Sequence, residues 1–271
     1  QPQLWGGVFA RFSDVDGNSF ELLSSDEMSR LIEDQRRAAT ERIESERRLE
    51  QELQIAREVQ ARLFPQTAPP LQTLDYAGIC VQARHVGGDY YDFLSFGPDR
   101  FGLLIGDISG KGIAAALLMA NLQANLRSQL AMAREQPELF LRSVNEIFYD
   151  NTVDSAYSTM FFAEYCDVER RLQYANCGHL PGLLLRANGH VEELSPTGTV
   201  LGLFPEWTGH LGACDLAPGD TLALYTDGVT EACNAGGDEF GHDRLIAALR
   251  THANRSAKET IRAVLDEVLQ H

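Results

Sequence analysis

Between residues 26 and 63 the chain contains no glycine and no proline. A stretch of this length, dense in Glu and Arg and stopped by Pro65, predicts one long helix. Ser24 and Ser25, ahead of the acidic pair Asp26 and Glu27, supply an N-terminal cap and favourable charge at its start. A three-four spacing runs through Met28, Ile32, Gln35, Ala39, Arg42, Glu46, Leu49, Leu53, Ala56, Gln60 and Leu63, apolar at both ends and polar in the middle. Two readings of this helix stand: a parallel coiled-coil linker that pairs two copies of the chain and carries a signal, or a solvated helix packed on its own domain. On either reading the chain divides into residues 1–23, the helix at 24–65, a Pro/Thr/Ala linker at 66–73 and a domain at 74–271.

Residues 5–23 predict a strand, a turn at 14–18 and a second strand at 19–23. The acidic turn is no EF-hand, because Ser19 stands where the loop needs Gly and no Glu fills the twelfth place. Beyond Pro70 the pattern becomes short strands and two groups of helices. Strands are expected at 74–83, 90–96, 101–108, 158–166, 171–176, 182–186, 190–194, 209–214 and 221–225. Turns at Gly97-Pro98-Asp99 and Asn188-Gly189 join neighbours in this series. Helices are expected at 112–133, 137–149 (with Pro137 at its start), 244–251 and 258–269. Meandering strands with helices inserted in pairs predict an α+β fold of antiparallel sheets covered by helices, not a parallel βαβ wheel.

The chain has 271 residues, 44 % of them hydrophobic and 23 % charged, which excludes wholesale disorder. Its 23 Lys and Arg face 39 Asp and Glu, a formal charge of −16. Such a surface repels nucleic acid and anionic membranes, so nucleic-acid binding is not expected. The most apolar run, residues 112–126, is interrupted by Asn121, Gln123 and Asn125 and is too short to cross a bilayer. Five cysteines at long spacings, with no C-x-x-C pair, fit the reducing cytoplasm and neither zinc binding nor dithiol exchange. The sequence starts at Gln1 without Met, so a fragment of a longer protein is expected.

Three acidic clusters stand where strands are expected to end: GGDYYD (residues 87–92), IGDISGKG (105–112) and YTDGVTE (225–231). An Asp that directly follows an apolar strand and precedes Gly-rich chain leaves its carboxylate at the sheet rim, next to exposed carbonyls. That place suits a hard divalent cation, which takes oxygen ligands and often keeps waters. Each Asp taken alone reads more readily as a turn cap, as Asp-Gly commonly is. Asp92 could orient water or form a turn, and Lys111 could neutralise a bound anion or be a surface lysine. His179, in Asn176-Cys-Gly-His179, could shape a functional loop, reach an anion, or be a turn histidine satisfied by backbone. Cys177 beside it reads as a small buried residue.

Taken together and in order, GGDYYDF, IGDISGKG, NCGHLPGLLL (176–185), TGTVLGLF (197–204) and YTDGVTEA (225–232) closely resemble the SpoIIE/RsbU-type branch of the metal-dependent Ser/Thr protein phosphatases (PPM family). The resemblance extends over residues 74–269, and AREVQARLFP (56–65) is similar to the linker helix of that branch. It implies two packed antiparallel β-sheets flanked by helices, an αββα sandwich, preceded by a long helical linker. It implies Asp107 and Asp227 as core metal ligands, the carbonyl of Ile108 as another, and Asp89 supporting the same centre directly or through water. The cofactor implied is Mn²⁺ or Mg²⁺, two ions in number, and the activity is that of a phosphoprotein phosphatase. The implied substrate is a phosphorylated STAS-type anti-sigma-factor antagonist in a bacterial partner-switching pathway, with a homodimer formed through residues 26–63. Where the wider family has His after its first Asp-Gly, Ile108 and Ser109 follow Asp107 here, which leaves the general acid unassigned. The Asp-Asn pair of the second metal site also has no clear counterpart in GGDEFGHDR (236–244), where Asp238, Glu239 or Asp243 could substitute. A catalytically weak module that only binds partners therefore stands as the alternative. GGVFARFSDVDGNSFELL (6–23) resembles the closing hairpin of the glyoxalase-like family, so residues 1–23 are either the stub of a truncated sensor-like domain or an isolated hairpin.

Overall fold

The computed structural model describes residues 9–23, 27–83, 85–152 and 156–271. Its contacts divide the chain into two units, Gln1–Ile55 and Ala56–His271. In the first, strands β1 (Phe9–Ser13) and β2 (Ser19–Leu23) form an antiparallel hairpin. The Asp14 carboxylate closes its turn, accepting from the backbone N–H groups of Asp16 and Asn18 at 3.0 and 2.8 Å and from the Asn18 side chain at 2.8 Å. This carboxylate is spent on its own loop, as expected of a turn that is no cation site. The first part of the expected opening strand, Trp5 to Val8, and the helix cap at Ser24, Ser25 and Asp26 lie outside the described residues. Helix α1 (Glu27–Ala61) follows without a break, and Leu31, Ile32, Ile43, Leu49 and Ile55 are exposed along it.

In the second unit the chain runs β3 (Tyr90–Ser95), β4 (Arg100–Ile108), α2 (Ile113–Ser128), α3 (Leu130–Glu135), α4 (Pro137–Asn151), β5 (Ser158–Cys166), β6 (Arg171–Cys177), β7 (Gly182–Leu185) and β8 (Val191–Leu194). It closes with β9 (Gly212–Asp215), β10 (Thr221–Ala223), α5 (Asp227–Thr230), α6 (Gly241–His252) and α7 (Ala257–Gln270). Five strands pair in the order β3-β4-β5-β6-β9 and three in the order β10-β7-β8, all antiparallel. Strand periodicity then sorts the core. Leu104, Ile108, Met160 and Phe162 face Met119, Leu122, Phe140 and Phe148 of α2 and α4. Their chain neighbours Phe101, Phe161 and Tyr165 face the other way, toward Leu194, Leu222 and Leu224 of the smaller sheet region. Leu183 and Leu185 pack with Leu245 and Leu249 of α6. The result is helices, large sheet, small sheet, helices: the αββα sandwich expected from the sequence. No described helix is long and apolar enough to cross a membrane.

The structure departs from the sequence expectation at identifiable places. Residues 74–83 form no strand; side chains hold the backbone just ahead of the segment and at Gly78 within it. Asp167 accepts from the N–H groups of Gln72 and Thr73 at 2.8 and 3.0 Å, and the Tyr91 hydroxyl donates to the Gly78 carbonyl at 2.9 Å. The helix expected at 112–133 is interrupted at Gln129, beside which Ser128 donates back to the Asn125 carbonyl at 2.8 Å; such side-chain bonding competes with the helical ladder. Asp92 closes no turn; its carboxylate is spent on an ion pair. It is fully buried and accepts a two-pronged bond from Arg127 of α2, Nε to Oδ2 and Nη2 to Oδ1, both 2.7 Å, plus the Tyr90 hydroxyl at 2.5 Å. The pair bolts the C-terminal turn of α2 to the large sheet.

Removing one partner of a buried pair leaves an uncompensated charge. Arg127→Met is therefore expected to lower stability in urea unfolding by about 3 kcal/mol, whereas Arg171→Met, whose 3.9 Å pair with Asp215 is exposed, costs less than about 1 kcal/mol. Similar losses in the two variants would refute the anchoring role. Burial pushes the Asp167 carboxyl up, but the hydrogen bonds from Thr73 and Gln72 outweigh it and hold the group below its ordinary value. A depressed carboxyl contributes stability above the unfolded-state pKa and loses it as pH falls through the folded-state value. The stability gap between the wild type and Asp167→Asn is thus expected to be full at neutral pH and to close in acid; a gap that widens on acidification would contradict this.

Candidate metal centre

The edge of the large sheet brings the sequence-predicted acidic residues together. Tyr90 pairs with Gly106 and Asp107 pairs with Thr159, so Asp89, one step before β3, continues the register to lie opposite Asp107. Gly88 makes the approach possible. A Cβ there would stand 2.9 Å from the Ile108 carbonyl oxygen and 3.3 Å from Ala115, so only glycine lets the Asp89 segment sit against that carbonyl. Asp227 arrives from the smaller sheet, as the first residue of α5 with Thr226 ahead of it.

Asp107 and Asp89 both feel neighbouring carboxylates. Burial is the largest influence on Asp107, and the charges of Asp89 and Asp227 add to it, raising its pKa to about 7 against weaker opposition from the Ile108 N–H and Lys111. Asp89 is also raised, first by burial and then by Asp227, while the Thr226 side chain favours its charged form. Its Oδ1 is buried without any hydrogen-bond partner. An orphaned carboxylate oxygen among like charges is electrostatically incomplete and is what a divalent cation would satisfy. Among the described residues no three Asp, Glu, His or Cys side chains converge as a complete cage. A hard cation here would therefore draw on carbonyl oxygen and water as well, which such ions accept. The donor set, all oxygen, fits Mg²⁺ or Mn²⁺ and would suit zinc or copper poorly.

Other residues singled out from the sequence fall elsewhere. Lys111 is exposed between Gly110 and Gly112, both at positive φ (99° and 76°), and its charge reaches Asp107. Asp238, Glu239 and Asp243 are exposed, and the charges acting most strongly on Asp89 and Asp107 do not include theirs. Asp238 belongs to a turn with Asn234. Cys177 is fully buried and its thiol is pushed up to about 12 by burial, so it is inert, as expected.

The sequence reading missed one contact. Gln60, counted only as a seam position of the helix, is 5 % exposed and clamps Gly87 in both directions: its Nε2 donates to the Gly87 carbonyl at 2.8 Å and its Oε1 accepts from the Gly87 N–H at 3.2 Å. The end of α1 thus holds the peptide that leads to Asp89. A polar residue within the apolar C-terminal end of the seam was the available signal.

Comparison with known proteins places the fold in a family. The family profile of Stage II sporulation protein E (SpoIIE) matches residues 97–271. The phosphoserine phosphatase RsbU of Bacillus subtilis (strain 168) is 30 % identical over 223 residues, 82 % of this chain and 66 % of that protein. Two further curated relatives are covered over 38 and 45 % of their lengths. The crystal structure of the RsbU and RsbW domains of Rv1364c from Mycobacterium tuberculosis superposes with a TM-score of 0.57 at 27 % identity, covering 70 % of this chain and 52 % of that one. The SiaA-PP2C domain of Pseudomonas aeruginosa shares the fold, with a TM-score of 0.71 at 20 % identity over 83 % of this chain and 91 % of that one. The chain belongs to the SpoIIE/RsbU branch of the metal-dependent Ser/Thr protein phosphatase (PPM) family.

Proposed function

We propose that this chain is a Mn²⁺- or Mg²⁺-dependent phosphatase acting on phosphoserine or phosphothreonine of a partner protein. The observation that carries the reading is the charge that Asp89 and Asp227 bring to bear on Asp107 at one sheet edge, with an unpartnered buried oxygen on Asp89. Asp107 and Asp227 would hold the ions, with the Ile108 carbonyl beside them and Asp89 acting directly or through water. When bound, two such ions lower the pKa of water and offset charge on phosphoryl oxygens. The chain's own part is to fix the carboxylates before substrate arrives. Gly88 and the β3–β4 register set Asp89 against Asp107 and the Ile108 carbonyl. Lys111 stands on its glycine-flanked loop where it offers positive charge to an arriving phosphate, within the field of Asp107. The buried Cys177 thiol is no nucleophile, so the reading favours direct displacement at phosphorus by water.

The partner we infer is a phosphorylated STAS-type regulator, as in partner switching, because the solved relative from Mycobacterium tuberculosis carries RsbU and RsbW domains in one structure. Residues 74–271 would form the catalytic domain, with residues 66–73 a linker and 24–65 a helical segment through which two copies pair. The exposed Ile32 and Leu49, both on the three-four seam, support pairing, and the Gln60 clamp gives the helix a physical connection to the Asp89 segment. Residues 1–23 would be the remnant of an upstream sensor-like domain. Its free cysteines, Cys80, Cys166, Cys177, Cys214 and Cys233, fit a reducing cytoplasm. A second reading, a partner-binding module with little catalysis, draws on the absence of Asp238, Glu239 and Asp243 from the strongest charges at the cluster.

Turnover of a phosphoserine protein with Mn²⁺ tests the first reading. Asp107→Asn and Asp227→Asn are each expected to lose about a hundredfold or more in rate, and wild-type rates in either would end it. Calorimetric titration separates the second: heat of Mn²⁺ binding that vanishes in Asp107→Asn supports the enzyme, and a folded wild type silent at millimolar metal, on the order of the weak end of carboxylate sites, supports the module.

A further inference from the structure

His179 stands outside the acidic cluster, 4 % exposed, on a turn that admits one arrangement. Its N–H donates to the Asn176 carboxamide oxygen at 2.8 Å. Asn176 is itself fully buried and donates through Nδ2 to the carbonyls of Leu180 and Leu194 at 3.3 and 3.2 Å. Gly178 between them has φ 67°, and a Cβ there would lie 2.5 Å from Val200. The imidazole this turn presents makes two bonds: Nε2 to the Tyr225 carbonyl at 3.1 Å and Nδ1 to the Thr159 hydroxyl at 2.9 Å.

A carbonyl can only accept, so Nε2 carries the proton. Burial depresses the ring to about 4, so it is neutral, and Nδ1 keeps a lone pair that takes the Thr159 hydroxyl hydrogen. Both nitrogens are spent, which leaves none to transfer a proton to or from a phosphate. What they join is informative. Thr159 is the cross-strand partner of Asp107. Tyr225 precedes Thr226, which faces Asp89, and Asp227.

We propose that His179 is a positioning residue of the metal centre, an uncharged strut that ties the strand flanking Asp107 to the segment carrying Asp227 and so keeps two mutually repelling carboxylates at binding distance. The proposal rests on the metal reading given above. Without the strut the large and small sheets could still pack through their apolar faces, yet the acidic groups would be free to move apart, and the loss would fall on metal affinity.

Calorimetric Mn²⁺ titration of the whole chain, alongside the melting temperature of the metal-free protein, tests this. Thr159→Val keeps the shape and removes only the hydroxyl; His179→Leu removes both bonds; His179→Gln offers an amide N–H and oxygen in place of the two ring nitrogens. Thr159→Val and His179→Leu are each expected to weaken Mn²⁺ binding about tenfold or more, the scale of lost outer partners, with His179→Gln recovering to within about threefold of wild type. The double variant is expected to bind no more weakly than His179→Leu, because the strut is already broken. Wild-type affinity in Thr159→Val, at an unchanged melting temperature, overturns the proposal whether or not His179→Leu folds. Losses that add in the double variant, or a folded His179→Gln as weak as His179→Leu, overturn it as well. A wild type that takes up no Mn²⁺ at all would instead bring down the metal reading, and the strut with it.

Discussion

Like charges held close together are the condition on which this architecture turns. Asp89, Asp107 and Asp227 come from remote parts of the chain; the charges of Asp89 and Asp227 raise the cost of ionising Asp107, and that of Asp227 the cost of ionising Asp89. Nothing in that cluster favours its own assembly. The surrounding frame must therefore supply the rigidity, and it does so with backbone register and close packing. The continuous β3–β4–β5 ladder fixes Asp107 and aligns Asp89 with it, while Gly88 allows contact with the Ile108 carbonyl that any side chain would forbid.

The same logic explains where the charged residues away from the cluster are spent. Asp92 lies on the strand that follows Asp89, yet its carboxylate is turned under α2 and bound in a fork by Arg127. Two carboxylates near each other in sequence thus have opposite environments: one fully paired and buried, the other with an oxygen left open. Pairing with a planar guanidinium is the arrangement that makes a buried carboxylate tolerable. The contrast shows that burial near this sheet end does not by itself leave a carboxylate oxygen unpartnered.

Much of this was legible in the sequence because period-two alternation and Gly-Asp strand ends are local signals. The strands that proved right, such as β4 and β5, have Leu104 and Ile108 facing one layer and Phe101 and Phe161 facing the other. The approach of Asp107 and Asp227 was legible only through the ordered set of motifs, since no local rule joins positions so far apart. What escaped was decided by distant side chains. Residues 74–83 look like a strand by composition, but Asp167 holds the backbone just ahead of them, at Gln72 and Thr73, and Tyr91 binds the Gly78 carbonyl. Asp92 looked like a rim residue because its partner, Arg127, lies on a helix whose facing could not be read from the strand. Gln60 showed only as a polar seam position: its partner Gly87 offers backbone groups, and a sequence does not say which backbone groups a side chain will bind.

The bonds made by His179 and Gln60 run between neutral groups: imidazole, hydroxyl, carboxamide and peptide. Dissolved electrolyte acts on charges, and its screening length is about 8 Å at physiological ionic strength. Raising the salt concentration will soften the mutual repulsion of the acidic rim while leaving these neutral links intact. A scaffold of this kind lets a strongly anionic pocket keep its dimensions across very different ionic surroundings, so that its shape is set by the chain and its charge is tuned by the medium.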